Sequence, residues 1–178
     1  MQTHRFDPAL RDEMSRLLPR ILHFARSLTR DSAAAEDLVQ NAYIKAVESL
    51  AQFTPGTRLD SWMFKIVQNT WIDEKRRAQR NGNVISLQDA RDAGMPIQGH
   101  GGSDRVFLRA ALAQLPADQR SALTLVLIEG YSYREAAEIL KVPDGTVMSR
   151  VARARRALID LHDADHSVPP HEIKRGIP

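Results

Sequence analysis

The 178-residue chain contains no cysteine. This absence excludes a disulfide framework, a thiolate nucleophile and a cysteine-based zinc site. No apolar run approaches the roughly 20 residues that a membrane-spanning helix needs. The N-terminal segment carries Asp7, Asp12 and Glu13 where a signal peptide would have a long apolar core. We therefore expect a soluble protein of the cytoplasm.

Glycine and proline are also scarce, with nine residues each. Strand-like runs of β-branched and aromatic residues are few, and helical periodicity dominates, so the sequence predicts an all-α fold. Hydrophobic residues at 43% and charged residues at 26% are ordinary for a globular protein with a packed core. The net charge of +3 is compatible with nucleic acid as a partner, and the positive charge is clustered along the chain.

Residues 130–161 predict two short helices joined by a tight turn. Ser132 and Glu135 have the spacing of a capping box, Pro143 stops the first helix, and Asp144 can cap the second. The second helix has an inward face made by Val147, Val151, Ala154 and Leu158. Its outward face is rich in arginine, as in a helix-turn-helix that binds DNA. The alternative is an ordinary helical hairpin with a solvated basic face.

Two helices are predicted in the first fifty residues. An apolar stripe from Pro8 to Leu28 is interrupted at Pro19, which indicates either a kink or two consecutive helices. The next helix is predicted to start at Asp31 or Ser32, because either side chain can cap it.

A third helix is predicted to run to about Arg80. Residues 57–60 resemble a capping box at its start, and Leu59, Trp62, Ile66 and Val67 share one side. The helix ends in four cations, Lys75, Arg76, Arg77 and Arg80. These exceed what stabilisation of a helix C-terminus requires.

Residues 81–104 are rich in Gly, Asn and Asp and have no sustained period, which is typical of a linker. We therefore predict one helical domain over residues 1–80 and a second over 105–161. The second domain begins with helices over 105–115 and 118–129, and Gly130 is placed to end the latter. Residues 162–178 are polar and contain proline, so we expect a mobile tail.

Three blocks carry a family resemblance: AEDLVQNAYIKAVESL (35–50), FTPGTRLDSWMFKIVQNTWIDEKRRAQR (53–80) and LPADQRSALTLVLIEGYSYREAAEILKVPDGTVMSRVARARRAL (115–158). In this order and spacing they resemble the extracytoplasmic-function (group IV) sigma factors of bacterial RNA polymerase. The Phe-x-Pro-Gly-Thr motif at 53–57 is most similar to the subgroup devoted to general stress responses. The resemblance implies two helical domains, σ2 and σ4, on a flexible linker.

For the first domain, the resemblance implies binding to the polymerase β′ clamp helices and opening of the minus-ten promoter element. Asp37, Gln40 and Asn41 match the polymerase-contacting positions, with Asn41 in place of a more usual carboxylate. The positions matching the minus-ten contacts are Phe53, Phe64, Asn69, Lys75, Arg76 and Arg77. Because Trp62 aligns with the buried stripe and Phe64 does not, we expect Trp62 in the core and Phe64 at the DNA.

For the second domain, the resemblance implies binding to the polymerase β flap and reading of the minus-thirty-five element. The matching positions are Thr146, Met148, Ser149, Arg150, Ala152, Arg153 and Arg155. Arg153 can bind a guanine in bidentate fashion, and Arg150 and Arg155 can hold phosphates. Met148 stands where many relatives have a basic residue, which we expect to lower affinity or to shift the preferred sequence.

The family performs no covalent chemistry, so we expect no catalytic residue, no cofactor and no metal. His162 and His166 have the spacing of a metal pair but are interpreted as solvated tail residues. The resemblance also implies an anti-sigma factor as a partner, and a free state whose domains pack together. Two alternatives stay open: a sigma-like decoy that titrates an anti-sigma factor, and a plain helix-turn-helix regulator that binds DNA without polymerase.

Overall fold

A computed structural model describes residues 8–29, 31–80 and 103–166. Within these ranges the chain forms helices and no strand, as the all-α prediction requires. The α-helices are α1 (Pro8–Thr29), α2 (Ser32–Glu48), α3 (Leu59–Arg80), α4 (Ser103–Gln114), α5 (Ala117–Leu123), α6 (Tyr133–Leu140) and α7 (Asp144–His166). A 3₁₀ turn (Leu50–Gln52) follows α2, and a π-helical segment (Thr124–Ile128) follows α5. None of the helices in the described ranges has the length and apolarity to cross a membrane.

The first helix runs without interruption through Pro19. This proline lies on the exposed face, where the carbonyl that loses its hydrogen-bond partner stays accessible to water. A single helix therefore replaces the kink or the two helices expected from the sequence. The predicted start of α2 is confirmed, because the Asp31 carboxylate accepts a hydrogen bond of 2.7 Å from the Ala34 N–H.

The predicted capping box before α3 does not form. The Thr57 hydroxyl donates to the Thr54 carbonyl within the preceding turn, at 2.7 Å. Arg58 is the residue that caps the helix, since its carbonyl accepts from the Trp62 N–H. The Asp60 carboxylate accepts from the Ser61 N–H instead of reaching back to residue 57.

The helix-turn-helix in the C-terminal half has the predicted caps at its first helix. Ser132 and Glu135 form a complete capping box, and Gly130 takes a left-handed conformation with φ of 74° after the π-helical segment. The second helix differs slightly from the prediction. The Pro143 carbonyl accepts the first helical hydrogen bonds, so Asp144 lies in the first turn of α7 and not at its N-cap. This helix continues to His166 and includes residues 162–166, which were predicted to belong to a tail.

The N-terminal half (residues 8–80) and the C-terminal half (residues 103–166) pack against each other. Helix α1 contacts α2, α3 and α5, and helix α3 also contacts α6. One hydrophobic core therefore spans both halves. At its centre the Phe64 ring lies edge-on between two other rings, 5.1 Å from Phe24 and 5.7 Å from Tyr131. A smaller core inside the C-terminal half contains Leu115, Leu123 and Ala154.

The predicted linker and tail lie mostly outside the described residues. Residues 81–102 and 167–178 belong to the part of the chain that is not described. The predicted domain boundaries therefore remain predictions.

Candidate nucleic-acid interface

The outward face of α7 is an exposed surface of short and basic side chains. Val147, Val151 and Ala154 are buried, as predicted, and fix the phase of the helix. The opposite face is exposed and consists of Met148, Ser149, Ala152, Arg153, Arg155 and Arg156. Small residues near the N-terminal end of such a helix allow close approach to base edges in a major groove, and the arginines can contact phosphates.

Arg153 is held along this face by a residue one turn earlier. Its guanidinium donates to the Ser149 carbonyl at 3.2 Å and to the Ser149 hydroxyl at 3.1 Å. The remaining guanidinium N–H groups can still point at a base. The exposure of Arg153 supports the predicted contact but does not test it.

Arg150 and Thr146 are half-buried members of the predicted minus-thirty-five set. The Arg150 guanidinium lies 3.2 Å from the Asp118 carboxylate on α5, and its side chain is 21% exposed. This pair joins α7 to α5. Arg150 therefore has an intramolecular partner that a phosphate would have to share or displace, which the sequence did not reveal.

The predicted polymerase-contacting residues lie together on the exposed face of α2. Asp37, Gln40 and Asn41 are exposed, and the Asn41 amide donates to the Glu74 carboxylate of α3 at 3.0 Å. The structure adds two apolar residues that the sequence reading missed, Ile44 and Val47, which are 57% and 47% exposed. Their signal was available, because both fall outside the buried stripe of α2.

The aromatic residues around the start of α3 differ from the sequence prediction in how deeply they are buried. Phe64 is fully buried, with 0% exposure, whereas Trp62 is only half-buried and packs against Phe53 at 5.3 Å between ring centroids. The expectation of an outward Phe64 is therefore wrong, whereas Trp62 packs against the core as expected but keeps part of its surface exposed. In this arrangement Phe64 cannot reach DNA, because the C-terminal half covers it through Tyr131.

The other predicted minus-ten residues are accessible at the C-terminal part of α3. Asn69 is half-exposed, and the side chains of Lys75, Arg76 and Arg77 are exposed. The Lys75 ammonium lies 4.9 Å from the centroid of the Trp71 ring, a cation–π contact that fixes both side chains. This end of the helix offers phosphates a cluster of positive charge.

Ion pairs connect the two halves, and they share the same arrangement of positive and negative residues. Arg20 of α1 contacts Glu129 at 2.7 Å and also Asp60 at 3.2 Å. Two further pairs join α3 to α6: Arg58 to Glu135 at 3.0 Å and Lys65 to Glu138 at 3.4 Å. In each pair between the halves, the cation belongs to the N-terminal half and the carboxylate to the C-terminal half.

Asp60 lies at the centre of this charged contact. Burial favours its neutral form, but hydrogen bonds from the Arg58 guanidinium and the Ser61 N–H outweigh burial and lower the pKa of Asp60 to about 2. The Arg58 guanidinium also lies 4.4 Å from the centroid of the Tyr131 ring. Burial raises the pKa of the Tyr131 hydroxyl, so this side chain stays neutral.

Arg120 is a buried cation that joins the halves through backbone groups. It is 5% exposed, and its guanidinium donates to the Ser27 carbonyl near the end of α1 and to the Leu115 carbonyl after α4, both at 2.7 Å. Carbonyls at helix C-terminal ends lack intrahelical partners and carry partial negative charge. Arg120 therefore satisfies groups from both halves at once.

Comparison with protein families gives two matches in chain order. Residues 14–81 match the family model described as Sigma-70 region 2, and residues 108–158 match Sigma-70, region 4. The first match covers α1 to α3, and the second covers the helices that end in the helix-turn-helix. The two halves are therefore a region 2 domain and a region 4 domain.

Individual relatives agree with these matches. The chain is 34% identical over 161 residues to the ECF RNA polymerase sigma factor EcfG of Rhodopseudomonas palustris, covering 86% of this chain and 84% of EcfG. It is 34% identical to the ECF RNA polymerase sigma factor SigM of Mycobacterium tuberculosis, covering 84% of this chain and 76% of SigM. Among solved structures, the sigma factor RpoE in complex with the anti-sigma factor NepR from Bartonella quintana superposes with a TM-score of 0.71 at 33% identity, covering 89% of this chain and 99% of RpoE. The chain belongs to the ECF sigma factors of RNA polymerase.

Proposed function

We propose that this sigma factor recognises a promoter in two parts, with α7 reading the minus-thirty-five element and α3 binding and melting the minus-ten element. Core RNA polymerase makes the RNA, and the chain supplies the promoter specificity. The observation that carries this proposal is the presence of two separate exposed surfaces with basic side chains, one in the region 2 domain and one in the region 4 domain.

The exposed face of α7 supports the minus-thirty-five role. Its accessible residues combine short side chains with Arg153, which can distinguish a guanine by about 1–3 kcal/mol. Arg155 and Arg156 flank this face and suit phosphate contacts, which position the helix without reading sequence.

The C-terminal part of α3 supports the minus-ten role. Lys75, Arg76 and Arg77 suit duplex phosphates, and Asn69 can hydrogen-bond the edge of an unstacked base. Phe53 and Trp62, which form a half-exposed aromatic pair, offer a surface on which a base can stack. We propose this pair in place of Phe64 as the aromatic contact.

The two halves must separate for both elements to be bound. The minus-thirty-five and minus-ten elements lie about 25 base pairs apart, which is roughly 85 Å of duplex at 3.4 Å per base pair. In the structure α3 and α6 touch through Lys65 and Glu138 at 3.4 Å. The 22 residues at 81–102 can extend over roughly 73–79 Å, and the domains on either side add their own dimensions, so the chain can bridge this distance. We propose that the structure is a closed form and that core polymerase holds the open one.

The exposed face of α2 supports binding to the β′ clamp helices, and the proposed binding to the β flap rests on the match of the second domain to Sigma-70, region 4. Asp37 and Gln40 provide polar contacts, and Ile44 and Val47 add apolar area beside them. Apolar side chains exposed next to charged ones are typical of a protein interface.

An anti-sigma factor is a further proposed partner. RpoE and CnrH, two solved relatives at 33% and 28% identity, are in complexes with NepR and with the cytosolic domain of CnrY, respectively. The Phe-x-Pro-Gly-Thr motif at 53–57 supports placement in the general-stress subgroup.

Transcription of fragmented genomic DNA by purified core polymerase, with and without the chain, tests the proposed function. We expect new transcript 5′ ends that share two upstream motifs at fixed spacing. Arg153→Ala should lose the preference for the upstream motif, and Asn69→Ala should reduce melting, measured by permanganate footprinting of unpaired thymines. Core binding without new transcripts would favour a decoy. Strong sequence-specific binding to duplex DNA without polymerase would favour a plain helix-turn-helix regulator.

A further inference from the structure

One face of α3 carries polar and basic residues along most of its length, with Trp62 on the same arc near its start. Arg58, which caps the helix, is followed at intervals of seven, four, seven and four residues by Lys65, Asn69, Arg76 and Arg80. At 3.6 residues per turn, these intervals keep all five positions within about 60° around the helix axis. We call this face the α3 polar stripe.

The α3 polar stripe has two parts with different surroundings. At the C-terminal part, Arg76 and Arg80 are exposed and the guanidinium of Arg80 donates to the Arg76 carbonyl at 3.3 Å. At the N-terminal part, both cations meet carboxylates of α6. Arg58 lies 3.0 Å from Glu135, and Lys65 lies 3.4 Å from Glu138.

Helix α6 thus places two carboxylates on the first half of the stripe. Arg58 and Lys65 lie about 10 Å apart along the helix axis, and each has its own acidic partner. A nucleic-acid strand also presents a row of negative groups to a row of cations. The α6 carboxylates therefore contact two cations that phosphates of a DNA strand could also contact.

We propose that the entire α3 polar stripe is a DNA-backbone contact surface and that Glu135 and Glu138 cover its first half in the closed form. Lys65 is then a phosphate-contacting residue that becomes available when the halves separate. Arg58 loses Glu135 and Tyr131 in the same step but keeps Asp60 of its own half as a partner at 3.1 Å, so a phosphate would share this guanidinium with Asp60. This inference rests on the proposed function, in which α3 binds the minus-ten region. It assigns contacts with DNA to Arg58 and Lys65, which are outside the predicted minus-ten set. It also assigns to the α6 carboxylates the role of competing with DNA for these two cations.

The first test removes one cation from the covered half of the stripe in the polymerase holoenzyme. Holoenzyme containing Lys65→Gln is bound to a promoter mapped by the transcription experiment, and the affinity is measured between 50 and 200 mM salt. We expect the slope of log affinity against log salt to become shallower by about 0.9, the value for one lost phosphate contact, with a loss of affinity of several-fold. Lys45→Gln is the matched control, because Lys45 is also paired with a carboxylate, Asp73 at 3.4 Å, but lies on α2. It should leave the slope unchanged.

The second test removes one of the α6 carboxylates that cover the stripe, in the chain without polymerase. Binding of the full chain to a fluorescent 30-base-pair duplex is measured by anisotropy without polymerase. Glu138→Gln should raise the affinity about two- to fivefold, as expected for the loss of one exposed ion pair that opposes binding. Glu48→Gln, an exposed site on α2 with the same charge change, is the control. In a Lys65→Gln background the gain from Glu138→Gln should disappear, because the two residues act as a pair.

Each outcome bears on a separate statement. If the wild-type holoenzyme forms no promoter complex, the proposed function fails. If it forms the complex but Lys65→Gln and Lys45→Gln have equal salt slopes, the stripe is not a DNA surface. If Lys65→Gln weakens binding to core polymerase and leaves the salt slope intact, the stripe meets protein and the inference is overturned. If Glu138→Gln and Glu48→Gln change free-chain affinity equally, α6 does not cover the stripe.

Discussion

The two helices proposed to bind DNA, α3 and α7, differ in how much of their surface the fold leaves accessible. The outward face of α7 is open, and its inward residues Val147 and Val151 are buried as their spacing predicted. Helix α3 packs against α1, α2 and α6, so its accessible surface is narrower and part of its basic face is paired with carboxylates. In the closed form the proposed DNA-binding face of α7 is therefore exposed, while that of α3 is partly covered.

This difference suggests where control is exerted. A surface that is exposed in every state can bind DNA at any time, so its DNA binding cannot be controlled by covering and uncovering it. In the proposed opening, the surface that α6 covers through Arg58 and Lys65 becomes fully available. Helix α3 is therefore the proposed DNA-binding helix whose accessible surface changes when the domain arrangement changes.

The largest expected effect comes from the ring that lies between the halves. Phe64→Ala should lower the free energy of unfolding by about 3–5 kcal/mol, because the ring is fully buried and leaves a cavity. Phe53→Ala is the control, since Phe53 is only half-buried, and it should cost much less. Urea unfolding followed by tryptophan fluorescence measures both. Equal losses of unfolding free energy in the two variants would mean that Phe64 is not a core residue, and would contradict the deeper burial of α3 compared with α7.

The next effect tests the buried cation that joins the halves. Arg120→Met should cost about 2–4 kcal/mol in the free energy of unfolding, because the Ser27 and Leu115 carbonyls lose a charged donor. Arg134→Met, at an exposed site on α6, should stay close to wild type. Urea titrations of both variants give the comparison. A stable Arg120→Met would show that this contact contributes little to the closed form.

A smaller effect is expected at the open surface of α7. Arg153→Ala should reduce discrimination at one position of the minus-thirty-five element by about 1–3 kcal/mol, with little change in stability. Competition binding of holoenzyme to promoters with single base changes measures the discrimination. Arg156→Ala is the matched control, and it should weaken binding uniformly across sequences. Uniform weakening by Arg153→Ala would contradict base reading by this side chain.

The smallest effect is a pH dependence from Asp60. Its pKa is about 2 in the fold and near 3.8 in an unfolded chain, so the folded state binds the proton less tightly. The stabilisation is therefore fully present above about pH 4 and is lost as the pH falls toward 2, by about 1–2 kcal/mol with solvent screening. Urea unfolding of Asp60→Asn should show a flatter dependence than wild type in this window. Parallel curves would show that Asp60 does not carry the effect.

The sequence predicted the helices of the described chain better than it predicted the faces of α3. The capping box of Ser132 and the cap at Asp31 were predictable because capping is local. The phase of α7 was predictable because one side of that helix is buried. Helix α3 is buried on a broad arc that includes the polar residues Gln68 and Thr70, so a single apolar stripe misassigned Phe64.

Contacts between distant parts of the chain could not be predicted. The Arg150–Asp118 and Arg20–Glu129 pairs depend on how helices pack, and their sequence separation leaves no local signal. The family resemblance singled out Asp37, Gln40 and Asn41, which lie together on one exposed face of α2. Ile44 and Val47 were overlooked although they fall outside the buried stripe of this helix.

Zero-length crosslinking with a carbodiimide tests the closed form and its opening most directly. In the free chain we expect two amide crosslinks, Lys65–Glu138 between the halves and Lys45–Asp73 within the N-terminal half, because both pairs are 3.4 Å apart. Peptide mass spectrometry identifies them. On addition of core polymerase, the Lys65–Glu138 crosslink should disappear while Lys45–Asp73 remains. Persistence of Lys65–Glu138 in a holoenzyme that transcribes, or its absence from the free chain, would contradict the account.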